Sequence, residues 1–260
     1  MKRMLIALLA CVSPLLAQAG GWQYSVSPYL WLPTISLDSS SVGDGGSPVD
    51  GSRLDIGPTD YLDALNFALM LSGDMRRDDW VIMADLIYLD FGIDDKDIDL
   101  GRPGTGPIAG SYGADLSGSV ITLAAGKTFV RNDRYYMDGL AGWRRFGMTF
   151  DLAGNLVSGG NIDISKDLEF NDAFVAVNGR YLFGDGDRWS LRYYADIGTG
   201  ESDMTWQALL GLGYGFGWGD LFVDYRHLDY DFGDVTRLDD VASVFSGPSV
   251  GATFRFGSSE

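Results

Sequence analysis

Apolar and polar side chains alternate along several stretches of this chain with a period of two residues. In the clearest stretch, an apolar side chain occupies every second position from Ala208 to Trp218, and most positions between them are glycine. The same alternation recurs in residues 65–72, 173–183, 189–198 and 249–256. A period of two is that of a β-strand with one apolar face and one polar face. The chain is therefore predicted to be all-β.

The alternation and the turn-forming residues together predict ten antiparallel strands, near residues 22–35, 63–76, 79–92, 116–131, 134–150, 169–184, 188–199, 204–218, 220–232 and 245–256. Four junctions are short and polar, at residues 76–79, 131–134, 184–187 and 217–220. Most other connections are long, near 36–62, 93–115, 151–168 and 233–244. Short turns at one end and long loops at the other are typical of outer-membrane barrels, whose turns are periplasmic. Eight and twelve strands are alternatives; ten is an even number that returns both termini to the periplasm.

Aromatic side chains flank the predicted short turns and, wherever the strand parity is clear, fall on the outward face. Such a girdle is expected at a membrane interface, where amphipathic rings prefer to lie, whereas a soluble barrel has no reason to collect rings at one rim. The pattern therefore predicts a transmembrane antiparallel β-barrel. The predicted girdle consists of Trp22, Trp80, Phe129, Tyr135, Phe183, Trp189, Trp218 and Phe256.

Two strands fit this scheme poorly. The parity that points Phe129 outward also sends Lys127 to lipid, so either Lys127 snorkels or a β-bulge shifts the register. Arg144 and Arg145 are consecutive, so one of them must point outward, which is tolerable only near the outer rim.

The first nineteen residues have the pattern of an export signal. Lys2 and Arg3 precede an apolar run, and residues 17–19 supply the small-x-small cleavage pattern. We expect residues 1–19 to be removed and residues 20–260 to form a barrel in the outer membrane of a Gram-negative bacterium. A lipoprotein signal ending at Cys11, the only cysteine, is the alternative. No later stretch approaches 18 consecutive apolar residues, so no transmembrane helix is predicted.

The composition limits the chemistry. With 36 acidic and 19 basic residues, the chain has a net charge of −17 and should repel nucleic acid. Without cysteine, the mature chain has no thiolate site. Acid clusters at residues 94–99 and 234–240 lack the turn glycine and the terminal glutamate of a calcium loop. We therefore predict no metal site and no cofactor.

Two motifs resemble those of a family of proteobacterial outer-membrane barrels, most of them uncharacterised. Residues 27–33 contain Pro-Tyr-Leu-Trp in the first strand, and residues 85–90 contain Leu-Ile-Tyr-Leu-Asp in the third. The resemblance implies the fold and the location but no active site. It also implies contact with membrane lipid and lipopolysaccharide, and with the barrel assembly machinery, which recognises a terminal aromatic residue such as Phe256.

Many charged residues fall on the predicted inward face. A narrow barrel has just enough interior for side chains, so a salt-bridged plug is favoured over a polar pore. Arg192 is expected to pair with Asp196 or Asp224, and Arg192 and Arg226 to fold over the bare wall of glycines 211–217. The predicted lumen network consists of Asp74, Asp85, Asp138, Arg180, Arg192, Asp196, Asp224, Arg226 and Arg255, with Arg76 beside it.

The sequence leaves two classes of function open. The favoured class is a passive barrel, structural or a narrow channel. The other is an outer-leaflet enzyme, either an omptin-like protease or a lipid-modifying hydrolase. His227 is the only histidine, its parity is outward, and no serine partner for it can be read from the sequence. Enzyme activity is therefore not expected.

Overall fold

The computed structural model describes residues 21–39, 52–99, 109–156, 161–232 and 241–257, so the predicted export signal lies outside it. Besides one helical turn at Pro58–Tyr61 and two 3-10 turns, the described chain is mostly strand. Within it, no helix is long and apolar enough to span a membrane. The strands are β1 (Gln23–Trp31), β2 (Thr34–Ser39), β3 (Ser52–Ile56), β4 (Leu65–Arg77), β5 (Trp80–Asp99), β6 (Ala109–Arg131), β7 (Tyr135–Leu156), β8 (Asn161–Phe183), β9 (Trp189–Gly200), β10 (Met204–Phe216), β11 (Gly219–Asp231) and β12 (Val241–Phe256).

The sheet closes into a ring of ten strands. Strands β4 to β12 pair antiparallel in chain order, and β1 pairs with both β4 and β12. β2 continues the line of β1 beyond Leu32 and Pro33, since β12 pairs with β1 through residues 249–256 and with β2 through residues 241–246. Proline has no N–H to donate, which explains the interruption. β3 pairs with β2 outside the ring, so the prediction of ten barrel strands is confirmed.

The strands on one side of the ring are longer than the sequence predicts. Pairing of β5 with β6 continues to Asp99 opposite Ala109, and pairing of β7 with β8 continues to Asn155 opposite Asn161. The prediction of loops at 93–115 and 151–168 is therefore wrong for most of these residues, and β2 and β3 occupy part of the loop predicted at 36–62. These residues are rich in aspartate, glycine and asparagine, and the alternation of apolar and polar positions that reveals a strand is weak in them.

The outer surface of the ring is an apolar band. Val175, Leu210 and Val223 are among its side chains, with 60%, 59% and 58% of their surface exposed. A soluble protein rarely exposes so large a continuous apolar surface, whereas a membrane-spanning barrel requires it. The ring is therefore a transmembrane β-barrel. One end, called here the short-turn end, carries the tight connections at 78–79, 132–134, 184–188 and 217–218; the opposite end is called the loop end.

Candidate functional site: the barrel lumen

The aromatic residues predicted as a girdle lie at the short-turn end. Trp80, Phe129, Trp189, Trp218 and Phe256 are exposed, and Trp22, Tyr135 and Phe183 are partly exposed. Successive ring contacts, with centroids 5.0 to 6.4 Å apart, also include four rings outside the predicted set, namely Tyr181, Tyr214, Phe216 and Phe254. This chain of contacts runs through Tyr181, Phe183, Trp189, Tyr214, Phe216, Trp218 and Phe254, and Tyr135 stacks separately on Tyr193.

Of the two explanations considered for Lys127, the register shift does not apply, because the β-bulge of this strand comes after Lys127. Lys127 is exposed on the outward face, and its Nζ lies 4.6 Å from the ring centroid of Trp80 on the neighbouring strand. A β-bulge follows between Thr128 and Val130, at Phe129. Lys127 therefore faces outward, and the electron-rich indole face of Trp80 stabilises its ammonium group.

One ion-pair cluster occupies the middle of the lumen. Arg226 Nη2 donates to Asp85 Oδ2 at 2.8 Å and to Gln207 Oε1 at 2.7 Å. Its Nη1 donates to the Tyr29 hydroxyl at 2.9 Å, and this hydroxyl donates to Asp85 Oδ1 at 2.7 Å. The Arg226 guanidinium also lies 4.9 Å from the ring centroid of Trp31. With these contacts, the guanidinium is almost fully enclosed and fully partnered.

A second cluster lies toward the short-turn end. The Asp138 carboxylate is fully buried and accepts from Arg76 Nη1 at 3.1 Å and from Arg76 Nη2 at 2.7 Å. Thr128 and Asn178 also donate to it, at 2.7 and 2.9 Å. Arg76 Nε donates to Asp74 at 3.0 Å. The predicted members Asp74 and Asp138 are thus joined through Arg76.

Asp196 has a different partner from the one expected. Its carboxylate, fully buried, is paired with Arg144, which is also fully buried. Arg192 is instead closest to Asp224, with Nη1 3.5 Å from Oδ2. Of the two carboxylates expected as partners of Arg192, Asp224 is therefore confirmed and Asp196 is wrong. Arg144, absent from the predicted network, faces the lumen, and Arg145 is the outward member of the two, with a salt bridge to Glu169.

Arg180 and Arg255 converge on a carboxylate that the sequence analysis missed. Arg255 donates to both oxygens of Asp220, and Arg180 Nη1 donates to Oδ2 at 3.1 Å. Asp220 is the second residue of β11, but the sequence pattern assigns it to the predicted turn at residues 217–220 and therefore not to the inward face.

The glycine wall of β10 is covered by side chains from both neighbouring strands. A Cβ at Gly211 would overlap the Asp224 carboxylate and the Val223 carbonyl. At Gly213 the same position would lie 2.5 Å from Ser190 Oγ and 3.7 Å from Arg192 Cδ. The expectation that Arg226 folds over this wall is not met, because its guanidinium reaches across to Asp85. Asp224 and Ser190 are the main side chains over the glycines.

Apolar side chains fill the lumen between the charged clusters and the loop end. Phe146 packs against Tyr230 with ring centroids 5.1 Å apart, and Phe170 against Phe232 at 4.5 Å. Tyr230 is fully buried. This group, called here the apolar plug, consists of Trp31, Met70, Ile87, Val120, Phe146, Leu228 and Tyr230, with Tyr29, Leu89, Met148, Phe170, Phe232 and Phe245 packed against it.

Toward the short-turn end the lumen widens into a cavity of about 660 Å³. Its lining includes Gln23, Arg76 and Arg255 at the ends of strands, and it reaches inward as far as Arg226. The lumen is therefore a cup, open at the short-turn end and filled in its other half.

His227 lies on the outward face, as its parity predicts. Its ring packs on Trp206 with centroids 4.4 Å apart, and its Nε2 is 3.9 Å from Asp229 Oδ2. Ser246 is its direct neighbour on β12, a pairing that the sequence did not reveal. His227 Nε2 has no hydrogen-bond partner in the described part of the chain. In the same residues, no three acidic, cysteine or histidine side chains form a metal-binding group.

No protein-family model matches the chain, and no curated protein matches it. Similar solved structures include the outer-membrane protease OmpT from Escherichia coli, with a TM-score of 0.47 and 13% identity over 92% of this chain and 98% of that chain. Ail, the attachment invasion locus protein of Yersinia pestis, has a TM-score of 0.35 and 11% identity over 91% of this chain and 99% of its own. Neisserial surface protein A has a TM-score of 0.33 and 14% identity, over 91% and 97%. Likeness at this level assigns neither a family nor an activity to this chain.

Proposed function

We propose that the protein is a closed outer-membrane barrel that does not conduct ions, with its short-turn end in the periplasm. The observation that carries the proposal is the apolar plug, because stacked rings fill the lumen just where a pore would have to pass. The apolar band and the aromatic girdle support the location, since a membrane-spanning barrel needs both. The proposal includes removal of residues 1–19, insertion by the barrel assembly machinery, and contact with lipopolysaccharide.

The buried ion pairs support a closed lumen. An open pore solvates its charged side chains, whereas Arg144 and Asp196 have no exposed side-chain surface. Burying charges is costly unless each is paired, and the described partners provide that pairing. Together with the plug, these pairs fill the middle of the lumen in the part of the chain that the structure describes.

Single-channel recording of the refolded protein in a planar bilayer tests this proposal. We expect no steady conductance from the wild type. The double variant Phe146→Ala with Tyr230→Ala removes two rings in mutual contact and should produce open steps. Phe150→Ala, which truncates an exposed ring further along the same strand, is the matched control and should stay silent. A steady conductance in the wild type would contradict the closed barrel.

A second candidate is an outer-leaflet hydrolase, and the pairing of Ser246 with His227 beside Asp229 is what favours it. Serine, histidine and carboxylate are the groups of a nucleophilic triad, and these three lie on the lipid-facing side. Turnover of purified lipopolysaccharide or phospholipid by wild type, lost in Ser246→Ala, would support the hydrolase. Equal turnover by both proteins, or none by either, would exclude it.

A further inference from the structure

Three arginines near the cavity mouth share too few carboxylates. Arg180 and Arg255 both bind Asp220. Arg192 Nη1 lies 3.5 Å from Asp224 Oδ2 and has no hydrogen-bond partner among the residues that the structure describes. Three guanidinium groups therefore face two carboxylates, in a chain whose net charge is −17.

The strand register brings two of these charges together. Arg180 on β8 and Arg192 on β9 are direct partners across the sheet, and like charges in that arrangement repel each other. Arg255 is also close to Arg180, because both pair with the Asp220 carboxylate. The Arg192 guanidinium is held 3.8 Å from the ring centroid of Phe222, with 28% of its side chain exposed. It is thus fixed in place while part of it faces the cavity.

The other three arginines of the lumen clusters, Arg76, Arg144 and Arg226, are satisfied by the protein itself, Arg144 through its buried pair with Asp196. Arg76 is bound by Asp74 and Asp138, and Arg226 by Asp85 and Gln207. Arg131 also lines the cavity, but it is exposed at the rim and donates a hydrogen bond to Thr128. Inside the cavity, the surplus of positive charge is therefore localised at Arg180, Arg192 and Arg255. A planar guanidinium with free N–H groups is suited to bind a carboxylate or a phosphate.

We propose that this cavity binds a small soluble anion that carries a carboxylate or phosphate group, held by Arg180 and Arg192 with Arg255 at the mouth. The volume, about 660 Å³, lies within the range of small-molecule sites, roughly 300–1,000 Å³. The anion enters from the short-turn end, because the apolar plug fills the other half of the lumen. The continuous pairing of the strands separates the site from lipid.

Calorimetric titration of the refolded full chain in nanodiscs of zwitterionic lipid tests the proposal, with inorganic phosphate and succinate as probes. We expect the wild type to bind at least one of the two. Arg192→Gln should raise the Kd at least tenfold, and Arg192→Lys should give an intermediate value because it keeps the charge and loses the planar fork. Arg134→Gln is the matched control, since Arg134 is exposed at the same end, pairs with Asp187 and does not line the cavity.

Gel mobility before and after boiling verifies that each variant is folded. If Arg192→Gln does not fold, Arg255→Gln, with its more exposed side chain at the mouth, makes the same comparison. Folded wild type that binds neither probe would overturn the proposal. The same holds if Arg192→Gln and Arg134→Gln bind the probe as tightly as the wild type. These outcomes do not depend on whether the barrel conducts.

Discussion

Two consecutive arginines show how the orientation of a residue decides the energetic role of its charge. The Arg144 guanidinium is enclosed by Asp196, by the hydroxyls of Thr122 and Thr205, and by the ring of Phe174 at 5.0 Å. The Arg145 side chain is 44% exposed and pairs with Glu169, whose side chain is 48% exposed. Removing one partner of a buried pair leaves an uncompensated charge, whereas an exposed pair contributes little because water screens it.

Arg144→Met should therefore lower the free energy of unfolding by about 3–5 kcal/mol, measured by urea unfolding in lipid vesicles. The double change Arg144→Met with Asp196→Leu should recover much of that loss, because neither charge is then left unpaired. Arg145→Met is the control and should cost less than about 1 kcal/mol. Equal losses for Arg144→Met and Arg145→Met would show that the Arg144 pair is not buried in the membrane-inserted protein.

The glycines of β10 differ in how much space surrounds them. Gly211→Ala places a Cβ against the Asp224 carboxylate and a backbone carbonyl, so it should destabilise the barrel by about 1–3 kcal/mol. Gly217→Ala, in the turn after the same strand, meets nothing within 4 Å and should be near neutral. Urea unfolding of the two variants makes the comparison, and a larger loss at Gly217 would mean that the lumen packing differs from the structure.

At the scale of the strand, β10 presents an apolar side chain to lipid at every second residue. Leu210 lies midway between Met204 and Phe216, the ends of the strand, and is therefore near the middle of the bilayer. Leu210→Arg should cost about 2–4 kcal/mol, the penalty for arginine at that depth. Gly213→Ser, on the opposite face, should be milder, because the one close contact of its Cβ is with the end of the Ser190 side chain, and Leu221 and Arg192 are at ordinary contact distances. A reversed order in urea unfolding would mean that the assigned faces of β10 are exchanged.

The sequence predicts the strands well where one face meets lipid, and poorly elsewhere. The apolar alternation gives the ends of β10 and β11 to within about two residues. It does not predict the parts of β5 to β8 that extend beyond the apolar band toward the loop end. Alternation also indicates which face a charged residue occupies, but not its partner. Several partners lie on strands that are not neighbours, as Arg144 on β7 and Asp196 on β9 do, so their pairing depends on the stagger around the ring.

The same limit explains why Arg144 is missing from the predicted network. Arg144 and Arg145 are both charged, so the local pattern does not distinguish the inward member from the outward one. Only the neighbouring residues decide it, with Trp143 exposed outside and Phe146 buried inside. The sequence does not predict that one half of the lumen is filled. The apolar plug combines residues from six strands, β1, β4, β5, β6, β7 and β11, and local alternation does not show which of them meet.

The whole molecule is asymmetric along the barrel axis. Four connections at the short-turn end span only two to five residues, whereas at the opposite end β5 to β8 extend well past their neighbours. Outer-membrane barrels have their short turns in the periplasm and their longer connections outside. The cavity proposed to bind an anion would then open to the periplasm, and the tall wall of β5 to β8 would project from the cell surface.

Epitope tags at the two ends of the barrel test this orientation. One tag is inserted between Leu156 and Asn161, where β7 and β8 end, and a matched tag between Gly186 and Asp187 in the tight β8–β9 connection. Antibody should label intact cells only through the first tag, because the outer membrane excludes it from the periplasm, and both tags should be labelled once the membrane is permeabilised. Both tagged proteins should fractionate with the outer membrane and shift in gel mobility on boiling, which verifies that the barrel has folded. Labelling of intact cells through the second tag alone would show that the barrel has the reverse orientation. Recovery of the untagged chain as soluble periplasmic protein would contradict the membrane location itself.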